Sequence, residues 1–463
     1  MSIKHAVLSL AVVFTSMGTV TASKADTLAD AMAGAYVHSG LIEQNRALLR
    51  VADENVAQAA SSLRPIISWS ADLNRRISQQ TGVSTSVTDT ATAALSLSWT
   101  VYDGGARAFG KERLKQTVLA TRQTLVSVEQ NVLLAAVRAY MDVRRESEIV
   151  SLRQNNLRVI TRELRAAEDR FDVGEVTRTD VALAQARLAG ARAELAVAQG
   201  NLLAAQASYS AAVGEKPHNL VAPSRLPRLS KSADTAMAYA VRNHPDMLKV
   251  QFDVAAADWG VREADASISP SISLSGSINQ SNTLGTGSDT LTSTIGIGAG
   301  GPIYSGGRIA SVSRQAIARR DAVRAGLHAT RHSVRQNVSV AWSQLLSARA
   351  QREASRRQIS ASRTAFEGVR EEAKLGARTT LDVLNAEQEL LDAQANQISA
   401  QSAEFIAAYS LQAAMGLLTV DHLNLVVEKY DPEAYYNQVN TAPAKLSKRG
   451  RQLDKILRRI ENQ

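Results

Sequence analysis

Two short segments in the first half of the chain, 66–74 and 91–102, alternate apolar and polar residues. In each segment the apolar residues share one face, and Tyr102 falls on the opposite, polar face. A period of two residues is typical of a β-strand. Segments 271–279 and 291–304 alternate in the same way, so the sequence predicts four strands in two pairs. The apolar face of the first pair consists of Ile67, Trp69, Ala71, Leu73, Ala91, Ala93, Leu95, Leu97, Trp99 and Val101.

Helical periodicity dominates the rest of the chain. Thr27 to Leu63 is predicted as one helix that ends before Pro65. From Gly105 to about Arg170 a further helix is predicted, and at 1.5 Å per residue it is roughly 100 Å long. The helix after Gly174 carries sustained heptads, which predict coiled-coil packing against neighbouring helices. Its apolar heptad positions are Val181, Leu188, Leu195, Leu202 and Tyr209, each followed three residues later by Ala.

The same order of predicted strands and helices occurs twice along the chain. Gly174 and Gly214 recur as Gly376 and Gly416, each pair 202 residues apart, and the motif Tyr-x-Gly-Gly recurs at the same offset. Such constant spacing indicates two structural repeats. The predicted units are a signal peptide (1–25), repeat 1 (26–214) with a hairpin tip near 174–180, a linker (215–232), repeat 2 (233–416) with a tip near 376–382, and a basic C-terminal extension (417–463).

The strands have the length and one-sided apolar character of a transmembrane β-barrel, although a half-buried soluble sheet would share the pattern. Four strands cannot close a barrel, since about eight are needed. Open strand edges are not tolerated in lipid. The membrane interpretation therefore predicts a homo-oligomer whose outer strand face contacts outer-membrane lipid.

The N-terminal segment and the composition bear on compartment and chemistry. Residues 1–25 have the polar start, apolar run and Ser-Lys-Ala end of a secretory signal peptide, and the alternative is a membrane anchor. The chain contains no Cys, which excludes disulfides and thiolate sites. Its net charge is +9, concentrated after Lys445. For an exported protein this predicts a solvated or disordered tail and no nucleic-acid partner, with contact to lipid phosphate as an open alternative.

Few residues suggest chemistry. Gly105 to Lys111 matches a phosphate-binding loop, but Glu112 follows where Ser or Thr would hold magnesium. His328 and His332 are spaced for a shared metal but lack a third ligand, so a solvated face is favoured. We therefore expect no catalytic site, no cofactor and no metal. Asp180 and Asp382 open helices, where carboxylates complement the helix dipole; alternatively, in a ring of subunits they would attract cations.

Several motifs together resemble the TolC family of outer-membrane channels. They are 375–384 at the second tip, 171–181 at the first tip, 242–247, the Pro residues at the strand starts, and the repeated Tyr-x-Gly-Gly. The resemblance implies a homotrimer with a twelve-stranded barrel continuous with a periplasmic coiled-coil barrel of α-helices. It also implies a periplasmic adaptor and an inner-membrane pump, proton-driven or of the ATP-binding cassette type. The implied role is a passive exit duct for drugs or secreted proteins.

The resemblance also assigns roles at the tips. Asp382 and Asn385 match the pore constriction, where relatives carry two aspartates; one carboxylate per subunit argues against strong cation block. Arg378 and Asp180, with Thr179, match a lock between neighbouring tips, although a tyrosine of that lock is Ala373 here. The adaptor-docking turns are Gly174, Glu175, Gly376 and Ala377. The alternative function is a structural trimeric coiled-coil adhesin, which would form no pore.

Overall fold

The computed structural model describes residues 26–79, 81–285, 287–445 and 447–461. The predicted signal peptide lies outside the described residues. The helices and strands are α1 (Leu28–His38), α2 (Gly40–Ser61), β1 (Ile66–Ser78), β2 (Ser86–Tyr102), α3 (Ala106–Asp172), α4 (Arg178–Val213), α5 (Ala233–Asn243), α6 (Pro245–Ala266), β3 (Ser271–Leu284), β4 (Ser288–Gly300), α7 (Arg308–Lys374), α8 (Thr380–Ala414), α9 (Val420–Leu423), α10 (Pro432–Val439) and α11 (Lys448–Glu461).

The two halves of the chain repeat element by element. Helices α3 and α7 each contain 67 residues, so each is roughly 100 Å long. Helices α1 and α5 each contain 11 residues, and α2 and α6 each contain 22. The prediction of a single helix from Thr27 to Leu63 is wrong, because the helix is interrupted at Ser39. There the Ser39 hydroxyl accepts the backbone N–H of Ile42 at 3.4 Å and caps α2.

The four strands form one antiparallel sheet in the order β1-β2-β3-β4. Pairing of β2 with β3 joins the two repeats, and Leu95 lies between Trp69 on one side and Ile278 on the other. Apolar residues thus pair with apolar residues across strands, as the alternation predicts. The same face is open to the surroundings, with Trp69 79% and Ile295 87% exposed. Within the chain, β1 and β4 are the sheet edges.

The strand bounds differ from the sequence prediction at both ends. The hairpins continue beyond residues 74 and 279, and Arg75 extends the β1–β2 pairing by an ion pair with Asp89 at 2.7 Å. Strand β4 ends at Gly300, so Tyr304 lies outside it; Pro302 follows, which has no N–H for the ladder.

A bulge changes the orientation predicted for Tyr102. The register shifts between Thr100 and Tyr102, which sets Tyr102 opposite Ile272. One extra residue in β2 therefore reverses the predicted face of this side chain, because faces alternate with every residue.

The largest core lies where both helical hairpins meet the N-terminal helices. Its buried side chains include Leu133, Tyr140, Tyr209 and Phe405. The Tyr140 hydroxyl donates to the backbone carbonyls of Asp26 and Val221. This contact fastens the start of repeat 1 and the linker onto α3. Among the described helices, none is both long and apolar enough to cross a bilayer.

The C-terminal extension is folded in its described part, so the disordered alternative predicted for the tail is wrong there, whereas the basic side chains described there are solvent-exposed, as the other alternative predicts. Leu453 of α11 and Val439 of α10 are buried against Ala57 of α2. The Arg64 guanidinium donates to the carbonyls of Thr441 and Ala442, the latter at 3.0 Å. The many basic residues made the sequence of this segment look uniformly polar. Burial of a few apolar residues, such as Leu453, nevertheless docks the segment on α2.

Candidate functional site at the helical tips

The two hairpins turn in the same way. Gly174 and Gly376 have φ of 81° and 77°, a left-handed conformation that glycine adopts without a steric penalty. The N–H of Glu175 donates to the carbonyl of Arg170, and that of Ala377 to Glu372, each at 2.9 Å. All four predicted docking residues are exposed. The structure therefore places Gly174, Glu175, Gly376 and Ala377 on two open turns at the ends of the longest helices.

Asp180 and Asp382 close equivalent capping boxes. Asp180 Oδ2 accepts the backbone N–H and the hydroxyl of Thr177, at 3.0 and 2.7 Å. Asp382 Oδ2 accepts the same groups of Thr379, at 3.0 and 2.9 Å. These hydrogen bonds hold the pKa of both carboxyl groups below the ordinary value. Both side chains thus cap helices while remaining negatively charged.

Arg378 and Asp180 line one groove of about 1010 Å³ between the two tips of the chain, together with Ala373. Within the chain, however, Arg378 Nε donates to Glu372 Oε2 at 2.8 Å. Arg378 is thus held by its own hairpin, and Thr179 lies exposed in the first turn of α4. The pairing between neighbouring subunits stays a prediction, because it requires a second copy of the chain.

Asn385 lies one turn after Asp382 on α8, as its predicted role at the constriction requires. Its Oδ1 accepts a hydrogen bond from Arg187 Nη2 of α4 at 2.8 Å. The sequence did not indicate Arg187, because no local pattern links residues 198 positions apart. The predicted constriction position therefore lies beside a cation of the same chain.

Glu387 is a second residue that the sequence interpretation missed. It is 5% exposed, and in the described structure its Oε2 has no hydrogen-bond partner. Its pKa is raised to about 7, chiefly by burial and also by the nearby charge of Glu163, while Arg370 and Arg162 oppose the shift. A signal exists in the sequence: Glu387 follows Leu384 by three residues and precedes Leu391 by four, which places it on the buried helix face.

The glycine loop before α3 is filled by the chain itself. Asp103 accepts the N–H of Gly105 at 3.1 Å and the N–H of Arg107 at 3.2 Å. Its carboxylate thus occupies the helix N-terminus where a phosphate would bind. His328 and His332 are both exposed on α7, and among the described residues no group of three or more potential ligands clusters for a metal.

Comparison with known proteins assigns the family. The family model described as outer membrane efflux protein matches residues 35–215 and 238–417, one match in each repeat. The chain belongs to the outer membrane efflux protein family. The two matches correspond to the two structural repeats, and residues 418–463 of the C-terminal extension lie outside them.

Individual relatives of this efflux family agree over most of their length. The outer membrane efflux protein BepC of Brucella suis is 37% identical over 427 residues, covering 91% of this chain and 93% of BepC. The outer membrane protein TolC of Vibrio cholerae is 23% identical, covering 79% and 85%. The crystal structure of the Campylobacter jejuni CmeC outer membrane channel superposes with a TM-score of 0.75 at 16% identity, covering 89% of each chain.

Family membership confirms the resemblance and the fold class: two tandem repeats that combine transmembrane strands with a long helical barrel. It places the protein in the outer membrane, with its helices extending into the periplasm. Efflux proteins of this family are conduits rather than enzymes. Its channels are trimers that work with adaptor proteins and inner-membrane pumps.

Proposed function

We propose that this protein is the outer-membrane exit duct of a tripartite pump and passively conducts small toxic compounds out of the periplasm. Three copies would join their sheets edge to edge, β4 of one to β1 of the next, and close a twelve-stranded barrel. The observation that carries the proposal is the pair of 67-residue helices, each starting beside a strand end and ending at an exposed tip. This geometry suits a conduit across periplasm and outer membrane.

Efflux is favoured over protein secretion because the relative that is 37% identical to this chain is named an efflux protein. An energy source is required from outside, since a duct of this kind moves cargo only down a gradient. An inner-membrane pump would supply it, and a periplasmic adaptor would dock on the exposed turns at Gly174, Glu175, Gly376 and Ala377.

The gate would lie at the same end. Three copies of Asp382 would ring the entrance and favour cations. Arg378 would exchange Glu372 for Asp180 of the neighbouring tip when the entrance closes. Each exposed pair contributes only about 0–1 kcal/mol, but three symmetric pairs act on one gate. A lock of this strength can be released by a docking adaptor.

A gene deletion with complementation tests the proposal. Deletion is expected to raise accumulation of a fluorescent efflux dye, and the full-length gene to reverse it. The tip variant Glu175→Arg/Ala377→Arg should fail to restore efflux. Its matched control, Gln351→Arg/Gln358→Arg, adds the same number of arginines to exposed positions of α7 and should restore it.

Two outcomes would change the account. If deletion stopped export of a protein and left dye accumulation unchanged, type I secretion would replace efflux as the function. If deletion affected neither export, the duct proposal would be wrong.

A further inference from the structure

A group of exposed cations lies on the C-terminal extension, outside both family matches. We name it the basic collar and define it as Lys445, Lys448, Arg451 and Lys455. All four are exposed, and the nearby acidic residue Asp454 is partly buried. In the described part of the chain, the salt bridges involve none of these four cations. Among the described side chains, the collar is thus a positive surface whose cations form no ion pair.

The fold holds this surface next to the membrane-spanning sheet. Arg449, in the same helical turn, donates to the hydroxyl of Thr441 at 3.2 Å and to the carbonyl of Asn437 at 3.3 Å. Thr441 in turn accepts from Arg64, two residues before β1 begins at Ile66. Two contacts therefore connect the first turn of α11 to the start of a strand.

The end of the sheet that the collar adjoins is the periplasmic one. Arg107, in the first turn of α3, donates to the carbonyls of Ser62 and Thr100. The start of β1 and the end of β2 thus meet where the long helix α3 leaves the sheet. The apolar strand face begins at once beyond this point, with Ile67 68% and Trp69 79% exposed.

We propose that the basic collar binds the headgroups of anionic phospholipids in the periplasmic leaflet of the outer membrane. Clusters of Lys and Arg beside a membrane-spanning segment attract anionic lipid, and the three ammonium groups and the Arg451 guanidinium form charge-assisted hydrogen bonds with phosphate oxygens. In the trimer the collar would recur three times around the barrel. An acidic cell-wall polymer offers similar charge, but the position within two contacts of the strand start favours lipid.

The absence of cysteine allows a direct test. Gln452→Cys, on an exposed position of α11, carries a spin label in the otherwise unchanged full-length protein. The trimer is reconstituted in nanodiscs of phosphatidylcholine alone or with phosphatidylglycerol. Accessibility of the label to a water-soluble nickel chelate is measured. Native mass spectrometry counts the bound lipids.

Phosphatidylglycerol is expected to protect the label and phosphatidylcholine is not. The variant Lys445→Gln/Lys448→Gln/Arg451→Gln/Lys455→Gln should lose the protection and bind phosphatidylglycerol at least about tenfold more weakly, since each cation near the surface contributes about 1 kcal/mol. At about 1 M salt, where the Debye length is about 3 Å, protection should also vanish. The matched control, Arg331→Gln/Arg335→Gln/Arg356→Gln/Arg363→Gln on exposed positions of α7, should behave like the parent.

Four results would overturn the proposal. Two are a label that is equally accessible in both lipids and a label that is equally protected in both. Dissociation of the trimer in the collar variant would assign the surface to a subunit interface. Protection by soluble peptidoglycan fragments in phosphatidylcholine discs would assign it to the cell wall.

Discussion

Arg187 of α4 donates a hydrogen bond to the side-chain oxygen of Asn385 of α8, at 2.8 Å, and so joins the two hairpins of one chain. Asn385 occupies the second position of the proposed constriction. The asparagine at this position therefore does more than remove the negative charge that an aspartate would carry. Its side chain is held by Arg187, and the same arginine would neutralise a carboxylate placed at position 385.

Asn385→Asp alone is therefore expected to raise cation selectivity only slightly, because the new carboxylate would form an ion pair with Arg187. The double variant Arg187→Gln/Asn385→Asp should raise it clearly, since its carboxylate is unpaired. The measurement is the reversal potential in a potassium chloride gradient across a planar bilayer, with Arg187→Gln as the control. Equal selectivity of the single and double variants would show that Arg187 does not act on the pore.

The proposed gate predicts a specific pattern of conductance. Arg378→Ser and Asp180→Asn should each raise single-channel conductance, and their combination should add little, because both remove one shared contact. Glu372→Gln should lower the conductance, because it removes the partner within the chain that competes with Asp180 for Arg378. Lys374→Ser removes a neighbouring exposed cation and serves as the charge control. Opening by Glu372→Gln but not by Asp180→Asn would place the lock inside one hairpin.

The raised pKa of Glu387 predicts that the stability of the second tip depends on pH. Its carboxyl stays protonated up to about pH 7 in the folded protein and ionises near its ordinary value of 4.5 in the unfolded chain. The folded state therefore binds the additional proton between these values, and the free energy of unfolding falls as pH rises through them. The loss is about 1–3 kcal/mol.

Hydrogen exchange of residues 380–391, corrected for the intrinsic rate, measures this effect. Protection should decrease between about pH 5 and about pH 8 in the parent, and Glu387→Gln should abolish the decrease. Glu389→Gln, on the same helix, is the control. A decrease that persists in Glu387→Gln would assign the titration to another group.

Much of the fold could be predicted because its signals are local or repeated. Alternation marks the strands at Trp69 and Leu95, and the 202-residue offset identifies the two tips as equivalent positions of a repeat. The capping threonine and aspartate of each tip also stand three residues apart in the sequence. The sequence predicts well those features that a short stretch of residues determines, such as a periodic pattern, a helix cap or a glycine turn.

Contacts between distant segments escaped prediction for a physical reason. Arg187 and Asn385 lie on different repeats, and the pairing of Arg378 with Glu372 inside one hairpin depends on side-chain geometry alone. The bulge before Tyr102 moves this side chain to the opposite face of the sheet, and no residue pattern in the sequence indicates the bulge. The docking of Leu453 on Ala57 depends on a single buried leucine within a strongly basic segment.

Substituting a tip glycine and a helical glycine by alanine should change local stability in opposite directions. Gly174→Ala should destabilise the first tip by about 1 kcal/mol, because alanine at φ of 81° is strained although a Cβ meets nothing within 4 Å. Gly368→Ala, inside α7 and equally unobstructed, should stabilise its helix by about 0.5–1 kcal/mol. Hydrogen exchange of each segment checks the two signs. Equal effects would mean that the turn does not need its left-handed residue.

Single-channel recording of the purified full-length protein in planar bilayers tests whether the protein forms a conducting duct. Protein that elutes at the mass of a trimer should form discrete, cation-preferring pores, and their conductance should rise in Arg378→Ser. Protein that inserts or associates with the bilayer yet opens no pore, in the parent and in Arg378→Ser alike, would contradict the proposed duct.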